Sequence, residues 1–536
     1  MWYNEFVTYH RVCEHILEKD KEGRKMSDTR AKVLIYLAAF LLLISPLLPL
    51  FITFGGGVPL AVMAEAAKVS EDTPLDNFYA DEMRGLWIAT VNNINFPSKK
   101  GLSKKALEKE LSAIVDFASE NGFNTIMFQV RPAADALYRS EIFPQSKYVS
   151  GTCGKAADGG FDCLSYLLKR AHEKGIDIYA WVNPLRVTSG SATYPETAVS
   201  ALPESSPARQ NDAWVKPYAD GKLYFDAGIP EVRTLVASGV REICENYDID
   251  GIIFDDYFYP YPKDGAEFDD SETFEKYGGE FEDIGDFRRD SVNKLVKESY
   301  DAVKEVDTDI RFGISPFGIW QNAKENGDGS ATNGLSAYSE IYCDALAWAK
   351  GGYVDFLAPQ LYWTFETASA PYGTLAEWWS RALDGTGVDL YINHGVYRYD
   401  EGKMDGGELT RQVDFARKLY SYRGSMYYGY AALSKNSGGV CDEISGIFGK
   451  NYGYYDYVDD GAVLTIDSYE SGDVISSETA LIFGRSNLAY PISVNGITPL
   501  RDKEGNYSIT LALRRGENLV IVSNGSQKCE ILINRK

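Results

Sequence analysis

The chain is 536 residues long and 45% hydrophobic, enough to bury the core of one large domain together with one or more smaller ones. Its 54 Lys and Arg against 77 Asp and Glu leave a formal net charge of -23, a field that repels nucleic-acid phosphates and anionic membrane surfaces and makes neutral or amino sugars easier partners. Seven cysteines with no CxxC pair and no Cys/His cluster of zinc spacing exclude a disulfide scaffold and argue against a structural metal.

Residues 1–25 precede Met26, which itself begins a conventional signal peptide, and Lys21-Glu22-Gly23 fits a translated ribosome-binding site; the expected start is therefore Met26. The uncharged apolar run Val33–Phe54 follows Arg24, Lys25, Arg30 and Lys32 and leads into Gly55-Gly56-Gly57 and AVMAEAA. Residues 26–66 read as an export signal cut near Ala64 or Ala66, or as an uncleaved anchor, because the run is longer than a usual signal core and Pro46 and Pro49 interrupt it. Either way the basic flank stays inside and the rest lies outside. Residues 67–76 are a linker.

From about Met83, short β-type runs alternate with helical patterns, the sign of a parallel sheet with crossover helices. The runs are RGLWIATV, NTIMFQVR, IDIYAWVN, DGIIFDDYF, IRFGISPF, VDFLAPQLYW, VDLYINHGVY and GSMYYGY. Between them lie segments such as KKALEKELSAIVDFASENG, whose Leu107, Leu111, Ile114, Val115 and Ala118 share one helix face and which stops at Gly122. Eight such units predict an α/β fold, a (β/α)8 TIM barrel over residues 77–458, with long loops after strands three and four. An open doubly wound sheet would carry a Gly-rich phosphate turn after its first strand, and RGLWIATVNNINFPS has none. Cys153 and Cys163 either close a loop outside the cell or remain two free thiols. Beyond about Val458 short alternating runs with Asn-Gly and Gly-Glu-Asn turns predict a small all-β immunoglobulin-like sandwich over 459–536, similar to accessory modules of secreted carbohydrate enzymes.

In such a barrel the active site lies at the carboxyl ends of the strands. The polar residues there are Gln129, Arg131 and Asp135; Asn183 and Arg186; Asp255 and Asp256; Ser315; Gln360, Tyr362 and Trp363; and Asn393 and His394. Carboxylates, amides, an arginine and many rings suit glycoside hydrolysis, in which one carboxyl group protonates the leaving oxygen while the pocket stabilises a positively charged sugar. They suit metal chemistry badly, since beyond residue 25 only His172 and His394 remain as imidazoles. His394 is more often a hydrogen-bonded structural residue. Tyr259, Trp320 and Trp363 stack on sugar or pack in the core.

Asp255 and Asp256 end an apolar run and precede Tyr257, Phe258, Tyr259 and Tyr261. A carboxylate there caps a helix or pairs with a basic residue in the ordinary case; the barrel-end position, the apolar approach and the rings favour catalysis. Adjacent strand residues face opposite sides, so both enter one pocket only where the strand has ended or bulged. A second carboxylate could otherwise come from Glu366, Asp226 or Asp135, with a turn or cap as the alternative for Asp226. Asp250 belongs to the opposite end of the barrel.

In order, MRGLWIATVNNINFP, FQVRPAADALYRSEIFP, AWVNPLRV, DGIIFDDYFYPYP, GISPFGIW and APQLYW resemble the glycosyl-hydrolase-like 10 family of bacterial exported proteins, once a domain of unknown function. The resemblance covers roughly residues 77 to 458 and implies a (β/α)8 barrel acting on glycans, with some members linked to cell-wall glycan strands. It also implies that the family's motif carboxylates are Asp255 and Asp256 and that its arginine, asparagine and glutamine positions are Arg131, Asn183 and Gln360. Members often read Asp-Pro-Gly where this chain has Asp226-Ala227-Gly228, which weakens a role for Asp226. The Asp pair also resembles that of N-acetylhexosaminidases whose substrate acetamide is the nucleophile; a conventional two-carboxylate mechanism ranks above it.

The expectation is an exported glycoside hydrolase with Asp256 as acid/base, Asp255 as its partner, and Arg131, Gln129, Asp135, Asn183, Ser315, Gln360, Tyr362, Trp363, His394 and Tyr259 around the sugar. The rival is a noncatalytic glycan-binding surface protein on the same scaffold. The partner is a polysaccharide or oligosaccharide. No cofactor, metal or nucleic acid is expected, and membrane contact only through residues 33–54.

Overall fold

The computed structural model describes residues 82–189, 198–263, 265–419, 421–449, 464–477, 479–486, 492–495, 499–501, 506–523 and 528–536. The expected start at Met26, the export segment 26–66 and the linker 67–76 lie outside the described residues.

All eight β-type runs form strands, and each is followed by a helix. They are β1 (Met83–Ile88), α1 (Lys104–Glu120), β2 (Thr125–Arg131), α2 (Cys163–His172), β3 (Asp177–Val182), a hairpin of β4 (Val215–Pro217) and β5 (Leu223–Phe225), and α3 (Pro230–Asn246). Then come β6 (Gly251–Phe254), α4 (Ile284–Val306), β7 (Arg311–Ile314), α5 (Ala345–Gly351), β8 (Phe356–Leu357), α6 (Tyr372–Ala382), β9 (Asp389–Gly395), α7 (Glu408–Ala416), β10 (Tyr422–Tyr428) and α8 (Val440–Gly449). The strands close in the order β1-β10-β9-β8-β7-β6-β3-β2, every neighbouring pair parallel. This is a (β/α)8 barrel. The β4–β5 hairpin, which periodicity did not announce, lies within the long segment between β3 and α3. No described helix is long and apolar enough to cross a membrane.

The helices form where a cap and an apolar stripe coincide. Ser103 accepts a hydrogen bond from the Ala106 amide at the start of α1, and Leu107, Leu111, Ile114, Val115 and Ala118 are its buried face. Asp162 caps α2, Asp283 caps α4, and Pro230 opens α3 at a position where a missing N–H costs nothing.

Along each strand, side chains alternate between the helix shell and the barrel interior. The interior is filled rather than hollow: Met83, Trp87, Met127, Tyr179, Trp181, Ile253, Phe356, Tyr391 and Met426 form a core separate from the strand-helix layer. Trp87 meets Trp181 edge-on with ring centres 4.8 Å apart, and Phe356 lies between Tyr179 and Tyr391 at 5.7 and 5.2 Å. The Phe356 ring fits because β7 carries Gly313, where a Cβ would fall 2.3 Å from it.

At the seam between first and last strands, Glu82 receives Arg417 through Nε at 3.0 Å and Nη2 at 2.8 Å, and the Tyr422 hydroxyl at 2.9 Å. Both charged side chains are buried, so the three-donor geometry is what compensates their desolvation.

The carboxyl-terminal region is all β. A four-stranded sheet, β11-β17-β16-β13, combines β11 (Val474–Ile475), β13 (Ser493–Val494), β16 (Gly516–Ser523) and β17 (Lys528–Arg535). A three-stranded sheet, β12-β15-β14, combines β12 (Thr479–Arg485), β14 (Leu500–Arg501) and β15 (Asn506–Ala512). Ala480, Ile482, Val494, Tyr507, Leu511, Val520, Val522 and Ile533 are buried together in a core of their own. The expected boundary at 458/459 lies outside the described residues. Cys153 and Cys163 are both free thiols.

Gly313→Ala is expected to destabilise the barrel by about 1–3 kcal/mol, because the added methyl displaces the Phe356 ring in a filled interior. Urea unfolding of the two proteins side by side measures it.

Candidate active site

The mouth is built by extending the interior rows two residues further. Gln129 follows Met127, Asn183 follows Trp181, Asp255 follows Ile253, Ser315 follows Gly313, Gln360 follows Ala358, Asn393 follows Tyr391 and Tyr428 follows Met426. An apolar interior layer is thus topped by a polar ring at the carboxyl ends of the strands.

The paired aspartates crown β6. That strand ends at Phe254, so Asp255 keeps the inward parity while Asp256 sits in the bend that follows. Asp255 accepts from Trp181 Nε1 at 3.0 Å, from Asn183 Nδ2, and from the Tyr257 amide at 3.2 Å. Asp256 accepts from the Tyr261 hydroxyl, with Gln360 as a second neighbouring donor. Asp255 is therefore held from the end of β3 and by its own loop, and Asp256 by its own loop and the β8 side. Both are buried. Burial pushes Asp255 up to about 7, opposed by Arg186 and reinforced by the charge of Asp256; burial likewise raises Asp256, opposed by Tyr261 and Gln360. The charge of Asp256 thus adds to the cost of ionising Asp255.

Behind Asp255 runs a chain of amides. Gln129 Oε1 accepts from the Thr90 and Val91 backbone amides, each at 2.9 Å, and Gln129 Nε2 donates to Asn183 Oδ1 at 2.6 Å. Across the mouth, Asn393 Nδ2 donates to the Tyr362 hydroxyl at 2.9 Å and Ser315 Oγ at 3.2 Å, and Gln360 Nε2 donates to the Ser315 carbonyl at 3.0 Å. Asn393 Oδ1 is buried without a hydrogen-bond partner, an acceptor left open at the ring.

Rings frame the pair. Tyr362 stacks on Tyr428 with centres 6.3 Å apart, Tyr397 meets both edge-on, and Tyr257 meets Tyr261 at 5.7 Å. Phe317 joins Tyr261 to Trp363. The Arg186 guanidinium lies 4.3 Å from the Tyr257 ring centre, buried, with its Nε unpartnered.

Of the expected site residues, Asp255, Asp256, Gln129, Asn183, Ser315, Gln360 and Tyr362 lie in this ring, with Trp363 reached through Phe317. Others lie elsewhere. The β2–β3 register shifts between Gln129 and Arg131, pairing Arg131 with the outward Val182. Arg131 therefore enters the helix shell, 4.4 Å from the Phe143 ring centre and against Gly239 of α3, where a Cβ would fall 2.2 Å from Nη1. The sugar-binding expectation for Arg131 is corrected by this placement. His394 follows inward Asn393 and so faces outward. Its nitrogens meet Gln412 Oε1 at 3.0 Å and Ser425 Oγ at 2.9 Å, and burial lowers it to about 4. Its neighbours make it a packing residue between β9, β10 and α7.

Tyr259 is buried edge-on against Phe268 and Tyr342 rather than on a sugar face. Trp320 is stacked on Trp378. Asp135 is buried in the segment after β2, raised to about 6 by burial with Ser146 opposing. Asp226 accepts from the Gly228 amide at 2.9 Å and Thr273 Oγ1 at 2.5 Å, which is a turn role. Glu366 is exposed and paired with Arg411 at 3.0 Å. Asp226 and Glu366 are thus committed to other partners. The sequence pattern picks out Tyr257 and Tyr261 only as rings flanking the aspartates and does not pick out Tyr397, Tyr428 or Trp181; for Tyr428 and Trp181 the period-two row through Met426 and Asn183 carries the signal.

Among the described residues no group of three or more His, Cys, Asp or Glu is placed to hold a metal ion.

Residues 82–405 match the model of the family described as Glycosyl hydrolase-like 10. The chain belongs to this family. It is 39% identical over 370 residues to the glycosyl hydrolase YngK of Bacillus subtilis (strain 168), covering 68% of this chain and 71% of that one. It is 33% identical over 373 residues to the glycosyl hydrolase DigH of Escherichia coli (strain K12), covering 66% and 84%. Among solved structures, the PgaB (BpsB) glycoside hydrolase domain from Bordetella bronchiseptica aligns at a TM-score of 0.43 and 14% identity, over 68% of this chain and 98% of that one. The family and its barrel mouth support a carbohydrate as what this glycosyl-hydrolase-like chain meets.

The terminal nitrogens of Arg131 make no well-aligned hydrogen bond, with the Tyr138 hydroxyl as a polar neighbour and no close ion pair. Arg131→Met is therefore expected to leave stability unchanged or raise it by about 1–2 kcal/mol, as buried charges replaced by apolar groups do. A fall in melting temperature as large as a broken buried ion pair gives would contradict that placement.

Proposed function

We propose that the protein is an exported glycoside hydrolase cleaving glycosidic bonds of a bacterial cell-wall or other amino-sugar-containing polysaccharide. The observation that carries this reading is the buried Asp255–Asp256 pair at the barrel mouth, held by different donors and framed by rings. Family membership, the names of the relatives and the apolar export-type run in the sequence support it.

Asp256 is the acid/base. Its Oδ2 is engaged by Tyr261, which leaves Oδ1 to carry the proton toward a leaving oxygen. Burial raises Asp255 to about 7, but its two donors on Oδ2 and the backbone amide on Oδ1 oppose that rise and favour the charged form, which faces the positive sugar that develops as the bond breaks. Tyr362, Tyr428 and Tyr257 offer faces for the rings on either side, while Asn393 Oδ1 offers an acceptor for a hydroxyl. The carboxyl-terminal sheets serve as an immunoglobulin-like accessory module that spaces the barrel from its surroundings.

Asp256→Asn is expected to lower kcat on purified cell-wall glycans by at least about 100-fold while glycan binding persists. Product analysis on glycans with and without their peptide stems reads the first, and co-sedimentation the second. A wild-type protein that binds these glycans and turns over none makes the barrel a recognition platform instead.

The pair also sets a pH dependence. Burial holds both carboxyls above the ordinary carboxylate range, with the charge of Asp256 adding to the rise at Asp255, so kcat is expected to fall as pH rises beyond that range and the acid loses its proton. Because both carboxyls bind protons more tightly folded than unfolded, their share of stability is present at acid pH and is lost as pH rises through their raised values, about 7 for Asp255. A pH series of rate and melting temperature tests both signs.

A further inference from the structure

The polarity of the amide chain behind Asp255 is determined from its far end. The Thr90 and Val91 backbone amides are donors and nothing else, so the Gln129 atom they meet must be its oxygen. Its nitrogen then points at Asn183, which must present its own oxygen, and the Asn183 nitrogen is left facing Asp255 Oδ2. The remaining contact on Oδ2, the Trp181 indole, is also a pure donor. Gln129, Asn183, Trp181 and Asp255 are each buried, so solvent does not reorient the two side-chain amides. Gln129 reaches no sugar: its oxygen holds two backbone amides of the segment after β1, and its nitrogen holds Asn183.

Resting on the glycosidase reading above, we infer that Gln129 is a positioning residue: anchored by the Thr90 and Val91 amides, it locks the Asn183 amide so that Asp255 Oδ2 meets only donors. Asp255 is thereby kept as the acceptor of the pair and the mobile proton is directed to Asp256. The charged and titratable groups around Asp255 are Arg186, Asp256, Tyr257 and Tyr428, and Gln129 acts without adding a charge to them.

The decisive variant is Gln129→Glu, nearly identical in shape. Protonated, its carboxyl reproduces the glutamine, accepting from the backbone with one oxygen and donating to Asn183 with the other. Ionised, it has no donor for Asn183 Oδ1, the Asn183 amide turns over, and its oxygen confronts Asp255. Q129E is therefore expected to work within about threefold of wild type near about pH 5 and to lose at least about tenfold more kcat than wild type by about pH 7, with KM moving less than about twofold. Gln129→Leu is expected to lose at least about tenfold in kcat at every pH. A Q129E profile that tracks wild type throughout, in protein with an unchanged melting temperature, overturns the inference. So does Q129L with full kcat. Should Q129L fail to fold, Q129E decides alone, since one preparation is compared with itself at two pH values. Should the wild type turn over no glycan, the glycosidase reading fails separately. The relay is then read from the 13C carboxyl titration of Asp255, assigned by its loss in Asp255→Asn. Its midpoint is expected to rise in Q129L, where the Asn183 donor is no longer held; an unmoved midpoint overturns the relay.

Discussion

A parallel barrel strand turns its side chains alternately to the interior and to the helix shell, and the character of this mouth follows from that period of two. While the strands are regular, each row runs from an apolar interior residue to a polar one at its carboxyl end. Two departures give the mouth its individuality. The register shift at β2 sends Arg131 outward beneath α3. The ending of β6 at Phe254 frees the backbone so that Asp256, which the alternation would have turned toward the helices, lies in a bend within reach of Tyr261.

Two neighbouring carboxyls away from water repel one another, and a protein that keeps them must decide which one is charged. Here the decision is made by the kinds of partner. Asp255 is surrounded by groups that only donate, from an indole, an oriented amide and the backbone. Asp256 has a phenol, which can donate or accept, with the Gln360 amide as a neighbouring donor. The Arg186 guanidinium supplies positive potential to both without a close ion pair to either. The asymmetry is therefore structural before any substrate arrives.

Most of the barrel was legible in the sequence because alternation and helix stripes are local signals. Trp87 pairs with Met127 and Trp181 with Ile253, and Met127, Trp181 and Ile253 each stand two positions before a polar residue of the mouth. The same period, applied strictly, places His394 outside the mouth, since Asn393 is inside. What could not be read were partners distant in sequence: Asp226 meets Thr273 across 47 positions and Glu366 meets Arg411 across 45. Nor does composition separate rings that frame a mouth from rings that fill a core; Tyr257 and Tyr259 are two residues apart, yet one is exposed at the rim and the other is enclosed.

The seam where β1 meets β10 has a consequence for how the molecule is made. Glu82 and Arg417 are separated by 335 positions, so the contact that joins the ends of the sheet is among the last to become available as the chain emerges. Until then β1 has a bare edge, with Glu82 lacking its compensating charge and a row of backbone groups open to any passing strand. High sequence separation of this kind slows closure. The barrel's first strand is thus also the one that waits longest for its neighbour, and the burial of the Glu82–Arg417 pair marks completion of the ring.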